Sequence, residues 1–350
     1  MKKKCLFISI TPDMERHGGS IYSNFVKDFI SGSGYQISVL NLRPRSIFIR
    51  YTIIFFSVLS SFFFRKTTAN VKFYKFFSYI CFYKMRKNKT KFDLIAFDHV
   101  ESFNKNFLTL ANKSLLISHN LEHQIMETRF GSNLLMKHIF NMRQMKIFEI
   151  LAFTQVDSVV SISYLDAKFI NEHNKNNFVI FPYEFNSIKE NFSQYLIFKN
   201  SSAFFVGGKF WEPNRDAVKL LSNSYREFIH KFKIFHIVGS GWVEKDSSLT
   251  NKKITGFLKD LNCLYRPNSI SIAPIFSGGG APIKVFESLE KKIPTITSSK
   301  VIRCIVKDGN PEEYGLFDID KYRFENQILI KGFRNLHDDK SIFKKWVVNN

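Results

Sequence analysis

The sequence predicts an α/β protein made of two Rossmann-like, doubly wound parallel-sheet domains, and three observations carry that expectation. The first is size: 350 residues exceed what one hydrophobic core organises, and a 45% hydrophobic content is enough for two. The second is the order at the amino terminus, where an apolar run, a glycine-bearing loop, an amphipathic segment and another apolar run succeed one another as in a βαβ unit. The third is that this order restarts near Ser202, with a second strand-to-glycine turn at Ser202–Gly208. Pro and Gly are nowhere concentrated enough for a disordered linker. The expected boundaries are 1–185 for the first domain, 186–335 for the second, and 336–350 for a tail that returns to the first.

Taken in order, Cys5–Ile10 is an apolar run that stops before Pro12, Asp13, Glu15 and Arg16. No small-residue cleavage site follows it, so it reads as a first buried strand rather than a secretion signal, and a cytoplasmic location is expected. Gly18-Gly19 precede Ile21–Ile30, where Ile21, Phe25, Val26, Phe29 and Ile30 share a helical face. Gly32 and Gly34 close that helix before a strand at Gln36–Leu42. The glycine pair lacks G-x-G-x-x-G spacing, which disfavours a dinucleotide-dependent dehydrogenase. Phe92–Phe97 and Leu115–Ser118 are expected strands, each ending in polar residues: Asp98-His99, and His119-Asn120-Leu121-Glu122-His123. Open α/β sheets bind ligands just beyond the carboxyl ends of their strands. A helix over Leu134–Phe153, a strand in Ser158–Ser163, a helix over Tyr164–Glu172 and a strand at Phe178–Phe181 complete this half. Asn186–Asn200 shows no periodicity and reads as the connection. The second half continues with an amphipathic run Ala217–Phe228, strands at Lys233–Val238 and Ser269–Phe276, and Ile293–Thr297 as the last clear strand. A closing helix is expected over Ile342–Val348.

Charge narrows the partners. Lys and Arg number 51 against 30 Asp and Glu, a formal net charge of +21, which implies an anionic partner such as nucleic acid, acidic lipid or a phosphorylated substrate. Residues 43–91 hold twelve of the basic residues and no acid, interleaved with aromatics. Within them Tyr51–Phe64 is a fourteen-residue uncharged run, shorter than the ~20 residues a membrane-spanning helix needs. An interfacial helix on an anionic membrane surface fits this composition, a core helix with a solvated basic face being the other reading. Nucleic acid is the least favoured partner, because no zinc, helix-turn-helix or RNP-like pattern accompanies the basic run. The four cysteines, Cys5, Cys81, Cys263 and Cys304, show no metal-ligand spacing, so neither disulfides nor a bound metal are expected.

The stretch with the most chemistry is Ser277–Ser288, S-G-G-G-A-P-I-K-V-F-E-S, which follows a strand and opens a helix at Pro282. Glycines at such a place let backbone N–H groups come close to an anion, and the helix dipole favours negative charge there. Lys284 adds a point charge, and Glu287 lies one turn deeper. Amides of Gly278, Gly279 and Gly280 with Lys284 suit a diphosphate, and the Glu287 carboxylate suits ribose hydroxyls. A plain flexible turn is the competing reading of the loop.

The pattern P-x-x-x-G-x-G-x-x-x-K-x-x-E, followed by K-K-I-P-T-I-T, resembles the donor-binding signature of the retaining GT-B glycosyltransferases known as family 4. That family usually carries two glutamates here; Glu287 matches the second, and Gly279 stands where the first would be. The run S-H-N-L-E-H resembles its H-N-x-E stretch, which implies that His119 faces the donor sugar. "F-V-G" with "W-x-P-N" at Phe205–Asn214 resembles the opening of its nucleotide domain, which makes Lys209 a second candidate for the diphosphate. Ile254–Leu258 resembles its loop beside the base, implying backbone contacts from Gly256 and Leu258. Gly18 and Gly19 match the place where its backbone approaches donor phosphate or acceptor. The resemblance implies GT-B architecture with a central cleft and hexose transfer from a UDP- or GDP-sugar without a metal or other cofactor. The acceptor it implies is a lipid-linked or membrane-associated glycan. The departure at Gly279 leaves a second reading, a catalytically degenerate relative serving as a membrane-associated assembly partner.

Overall fold

The computed structural model describes residues 2–10, 18–43, 51, 52, 55, 57, 69–130, 141–185 and 194–348. The chain divides into two compact units, Met1–Pro182 with Asp338–Asn350, and Tyr183–His337.

The first unit is built on six parallel strands: β1 (Lys3–Ser9), β2 (Tyr35–Asn41), β3 (Phe92–Asp98), β4 (Ala111–Ser118), β5 (Ser158–Ser161) and β6 (Asn177–Val179). They lie in the order β2-β1-β3-β4-β5-β6. Strands β1, β3 and β4 are buried along most of their length on both faces, which is why they read as continuous apolar runs rather than alternating ones. From β1 the chain winds outward to β2, then crosses back past β1 to β3. The winding direction therefore reverses between β1 and β3, opening a crevice at their carboxyl ends.

The first helix runs Gly18–Gly32, three residues earlier than the apolar spacing suggests, so Gly18 and Gly19 form its first turn rather than a loop. The helix Ala69–Lys87 buries Val71, Phe73 and Ser78, and sets Tyr74, Phe77, Cys81, Phe82 and Met85 against the core. Its other face leaves Phe76, Tyr79, Ile80 and Tyr83 exposed. Of the expected interfacial helix Tyr51–Phe64 only Tyr51, Thr52, Phe55 and Ser57 are described; the rest lies outside the described residues. The expected helix Leu134–Phe153 is seen as Met142–Gln155, with residues 134–140 outside the described set. The closing helix, Lys340–Val348, buries Phe343 and Val347 in this unit, with Phe343 stacked on Phe29. Asp339 leads into it by extending β6: its N–H donates to the Val179 carbonyl at 2.7 Å, and its carboxylate accepts from the Val179 N–H at 2.8 Å.

The second unit has six parallel strands: β8 (Ser202–Val206), β9 (Ile234–Val238), β10 (Lys252–Gly256), β11 (Ser269–Ala273), β12 (Thr295–Thr297) and β13 (Leu316–Asp318). Their order is β10-β9-β8-β11-β12-β13, so the winding reverses between β8 and β11. A separate antiparallel pair, β7 (Gln194–Ile197) with β14 (Gln327–Ile330), stands beside it. Three expectations need correction here. The stretch read as a patternless connection contains β7, where only Leu196 is buried, so no apolar period marks it. Ile293–Thr297 is not the last strand, since β13 and β14 follow. The run Ala217–Phe228 is not one helix: Glu212–Ser222 ends with Asn223 as its C-cap, and a second helix, Arg226–His230, follows. Ser222 turns inward there to meet Ser247, Oγ to Oγ at 2.8 Å, and Tyr225 is buried in the break.

Candidate functional site

Each unit gathers its chemistry at its own switch point. In the second, β8 and β9 end in glycines packed against each other. A Cβ on Gly239 would stand 2.3 Å from the Gly207 carbonyl oxygen, and a Cβ on Gly207 would stand 2.6 Å from the Asn214 amide nitrogen. Only glycine allows strand ends and helix Glu212–Ser222 to approach so closely. Trp242 Nε1 donates to the same Gly207 carbonyl at 2.6 Å.

Asn214 uses that space. Its Nδ2 donates to the Gly208 carbonyl at 2.9 Å, and its Oδ1 accepts from Lys284 Nζ at 2.6 Å. Lys284 is partly buried, with its ammonium 4.3 Å from the centroid of the Phe205 ring. Burial alone pushes that ammonium down to about 7. The loop before it turns at Gly278 and Gly280, with φ of +90° and +67°, conformations that L side chains rarely adopt. Gly279 sits between them, partly exposed. Lys300 Nζ donates to the Gly278 carbonyl at 2.5 Å, and Ser298 Oγ to the Ile275 carbonyl at 2.5 Å, so the loop is tied from below by the chain after β12. Pro282 is the N-cap of helix Ile283–Glu290, whose Val285, Phe286, Ser288 and Leu289 are buried.

Glu287 is partly buried one turn on, and the Tyr265 hydroxyl donates to its carboxylate. Burial raises the Glu287 carboxyl, while burial and this carboxylate together raise Tyr265 and the nearby Tyr183. Lys209, expected near a diphosphate, is instead engaged with Asp246 Oδ1 at 2.7 Å. Gly256 ends β10 with φ of +70° and open space where a Cβ would be, and its carbonyl accepts from the Gly239 N–H at 2.7 Å. Leu258 is half-buried against Phe204, Val238, Leu264 and Ile293.

In the first unit the switch point holds Asp98 at the end of β3, with 0% exposure. Ser9 Oγ, at the end of β1, donates to Asp98 Oδ2 at 2.7 Å. His119 Nε2, just past β4, lies 2.8 Å from Oδ1, as does Ser23 Oγ on the first helix. A carboxylate only accepts, so the His119 proton toward it sits on Nε2. Hydrogen bonds and the neighbouring His99 and His119 hold the Asp98 carboxyl well below the usual range despite its burial. His99 stacks on His119 with centroids 3.7 Å apart and planes 8° apart, from a backbone φ of +70°. Asp98 lifts His99 to about 9 against its burial.

Asp98, His99 and His119 present ligand atoms within 4.8 Å of one another, which raises the question of a metal. Their geometry does not fit one. Stacked, nearly parallel imidazoles aim their lone pairs in separate parallel planes, so a single ion cannot lie in both, and the Asp98 oxygen they approach is already hydrogen-bonded. Beside them, fully buried Glu149 accepts from the N–H groups of Glu122 and His123 and from His123 Nδ1, closing the start of helix Glu122–Phe130. Glu122 lies in the first helical turn; burial and Glu101 push its carboxyl up to about 8.

Sequence reasoning brought forward Lys284, Glu287 and His119 but not their holders. Asn214 is 70 residues from Lys284 and Asp98 is 21 from His119, separations that only a folded sheet closes. Asp98 carried one readable signal, an acid ending a buried apolar run; Lys300 and Tyr265 carried none.

The two units, each a parallel six-stranded sheet with helices and a polar switch point, define a protein of GT-B glycosyltransferase architecture. Residues 201–329, within the second unit, match the family described as Glycosyl transferases group 1. Its fold is similar to the crystal structure of WaaG, a glycosyltransferase involved in lipopolysaccharide biosynthesis, with a TM-score of 0.50 and 10% identity over 85% of this chain and 81% of that one. A glycosyltransferase from Rickettsia africae aligns with a TM-score of 0.49 and 11% identity over 100% and 94% of the two chains. Alr3699/HepE from Anabaena, in complex with UDP and glucose, aligns with a TM-score of 0.44 and 9% identity over 85% and 81%. No curated protein sequence matches the chain.

Proposed function

We propose that the protein is a retaining glycosyltransferase that moves a hexose from a UDP- or GDP-sugar to a lipid-linked or membrane-associated glycan in surface polysaccharide assembly. The observation that carries this reading is the second unit's switch point, where a half-buried Lys284 stands behind a glycine loop that opens a helix. As the glycosidic bond breaks, negative charge grows on the leaving diphosphate. A cation and N–H groups already in place stabilise that charge more than they stabilise the bound donor, which is what lowers the barrier. In this reading Lys284 and the amides of Gly278, Gly279 and Gly280 take the phosphates, Glu287 the ribose, and the backbone of Gly256 and Leu258 the base edge. Lys209 is a secondary phosphate contact that must share itself with Asp246. In the first unit His119 is the polar group for the sugar, and the first-turn N–H groups of Gly18 and Gly19 are an anion contact. No metal is required.

The membrane side of the reading rests on helix Ala69–Lys87. Phe76, Tyr79 and Tyr83 are exposed by 55, 52 and 70%, and Lys84, Arg86, Lys87, Lys89 and Lys91 are exposed at and beyond its end. Tyr79, Ile80, Phe82 and Tyr83 with Lys84 and Asn106 line a shallow recess of about 500 Å³. Aromatic rings beside clustered cations suit an anionic leaflet. The fold likeness to WaaG, a lipopolysaccharide enzyme, agrees with a surface-glycan acceptor.

The test is transfer and donor hydrolysis with a panel of UDP- and GDP-sugars, with product anomers assigned by NMR. Activity with one donor, retention of configuration, and loss of activity in Lys284→Ala and Glu287→Ala are expected. Wild-type kcat/KM in either variant rejects the site. Absence of any nucleotide or nucleotide-sugar binding by calorimetry rejects the donor reading and favours a non-catalytic assembly role.

A further inference from the structure

Lys284 is held in an unusual way for a half-buried cation. Its hydrogen-bond acceptor is the neutral amide oxygen of Asn214, and its other neighbour is the face of Phe205. The charged groups on the surrounding elements are committed elsewhere or do not reach it. Lys209 is bound to Asp246, and Lys300 to the Gly278 carbonyl. Asp216, on the same helix as Asn214, meets Ser277 at 3.4 Å, and Glu287 takes the Tyr265 hydroxyl. Glu212 and Arg215 stand at the start of that helix, and Glu290 and Lys291 at the end of the lysine's own; the cause that lowers Lys284 is its burial.

Asn214 is equally specific in its placement. Its amide fills the space that a Cβ on Gly207 would occupy, with approaches of 2.6, 2.7 and 2.8 Å, and its Nδ2 is anchored on the Gly208 carbonyl. One side chain thus joins the glycine turn after β8 to the lysine of the glycine loop after β11. An aspartate has the same shape and would supply a full counter-charge, at the loss of the donor to the Gly208 carbonyl.

Building on the donor reading above, we propose that Asn214 is a positioning residue that holds Lys284 in place without neutralising it, reserving the cation for the diphosphate of the donor. The neutral holder keeps the lysine poorly stabilised as an ammonium until an anion arrives. Diphosphate binding then supplies the missing counter-charge, and the site takes up a proton from solvent as it fills. An acidic holder would pair with the lysine permanently and compete with the phosphates.

The experiment compares wild type with Asn214→Asp and Asn214→Ala in two arms. In the ligand-free arm, protein labelled with [13Cε]lysine is titrated by NMR, with the Lys284 signal assigned by its loss in Lys284→Met. A midpoint near neutrality is expected in wild type, moved upward by more than about one pH unit in Asn214→Asp. In the ligand arm, UDP and GDP binding is measured calorimetrically at pH 8 in phosphate and in Tris. The dependence of apparent enthalpy on buffer ionisation should show uptake of roughly half to one proton in wild type and near none in Asn214→Asp, whose affinity should fall at least about tenfold. An ordinary lysine midpoint in wild type, or an Asn214→Asp protein that titrates and binds like wild type, overturns the proposal. Failure of wild type to bind either nucleotide instead overturns the donor reading, and the ligand-free arm still decides whether Asn214 governs Lys284. Unfolding of Asn214→Ala alone does not decide the matter, because the isosteric aspartate carries the comparison.

Discussion

Replacing Asp98 with asparagine probes the first unit's switch point most sharply. The side chain keeps its shape, but one carboxylate oxygen becomes an NH2 group facing a donor, either Ser9 Oγ at 2.7 Å or the Ser23 and His119 pair at 2.8 Å. Hydrogen bonds to a charged group contribute about 1.5–3 kcal/mol each, and replacing the carboxylate by a neutral amide weakens all three. The protonated His99 also loses the carboxylate it faces at 3.4 Å. A loss of roughly 3–5 kcal/mol follows, within the range for breaking a buried pair. For a unit of this size that lowers the melting temperature by roughly 10 °C. The pH dependence has a definite sign. Asp98 has a depressed folded pKa, so its contribution is present above its unfolded value, near 3.8, and is lost only as the pH falls further. His99 has a raised one, so its contribution is complete below 6.5 and is lost as the pH climbs through about 9. The gap between wild type and Asp98→Asn should be widest from about pH 5 to 6.5 and narrower at pH 9. Differential scanning calorimetry across pH 5–9 measures it, and a gap below about 1 kcal/mol at pH 6 refutes the reasoning.

Three further outcomes are expected. Glu122 holds its proton to about 8 against an ordinary 4.5, so it too contributes stability that fades as the pH rises through that window; Glu122→Gln should flatten the decline in melting temperature between pH 5.5 and 8. An unchanged slope would show that this carboxyl is solvated. Gly239→Ala, which drives a methyl to 2.3 Å from the Gly207 carbonyl, should cost about 3 kcal/mol or more, whereas Gly256→Ala, with open space at its Cβ, should cost only the ~1 kcal/mol of its left-handed backbone. Equal denaturation midpoints for the two would contradict the packing at the ends of β8 and β9. Finally, serine at Phe76, Tyr79 and Tyr83 together should leave folding nearly intact and weaken partition into anionic vesicles about tenfold, read by sedimentation. Undiminished sedimentation would remove this helix from any membrane role.

The architecture was legible because parallel strands covered on both faces cannot hide. Cys5–Ile10, Phe92–Phe97 and Ser269–Phe276 announce themselves as apolar runs with polar or glycine-rich exits. Gln194–Ile197, an edge pair with a single buried residue, has no such mark. The amphipathic run Ala217–Phe228 hides two helices, because apolar spacing persists across a break that Ser222 and Tyr225 create by packing inward. At the sites, residues that act through local motifs, Lys284 behind its glycines and His119 after its strand, stood out. Residues that act by reaching across the sheet did not: Asn214 and Asp98 are ordinary in sequence and become informative only beside what they hold. Lys209 shows the opposite case, a residue placed correctly in its loop whose ion pair with Asp246 no sequence pattern foretold.

The central claim is that the second unit grips a diphosphate with Lys284 and the Gly278–Gly280 loop. Crystals soaked with UDP, and separately with GDP, test it most directly. The account predicts phosphate oxygens within hydrogen-bonding distance of Lys284 Nζ and the loop amides, with the ribose at Glu287. A nucleotide bound elsewhere, with Lys284 still turned to Asn214 alone, would contradict it.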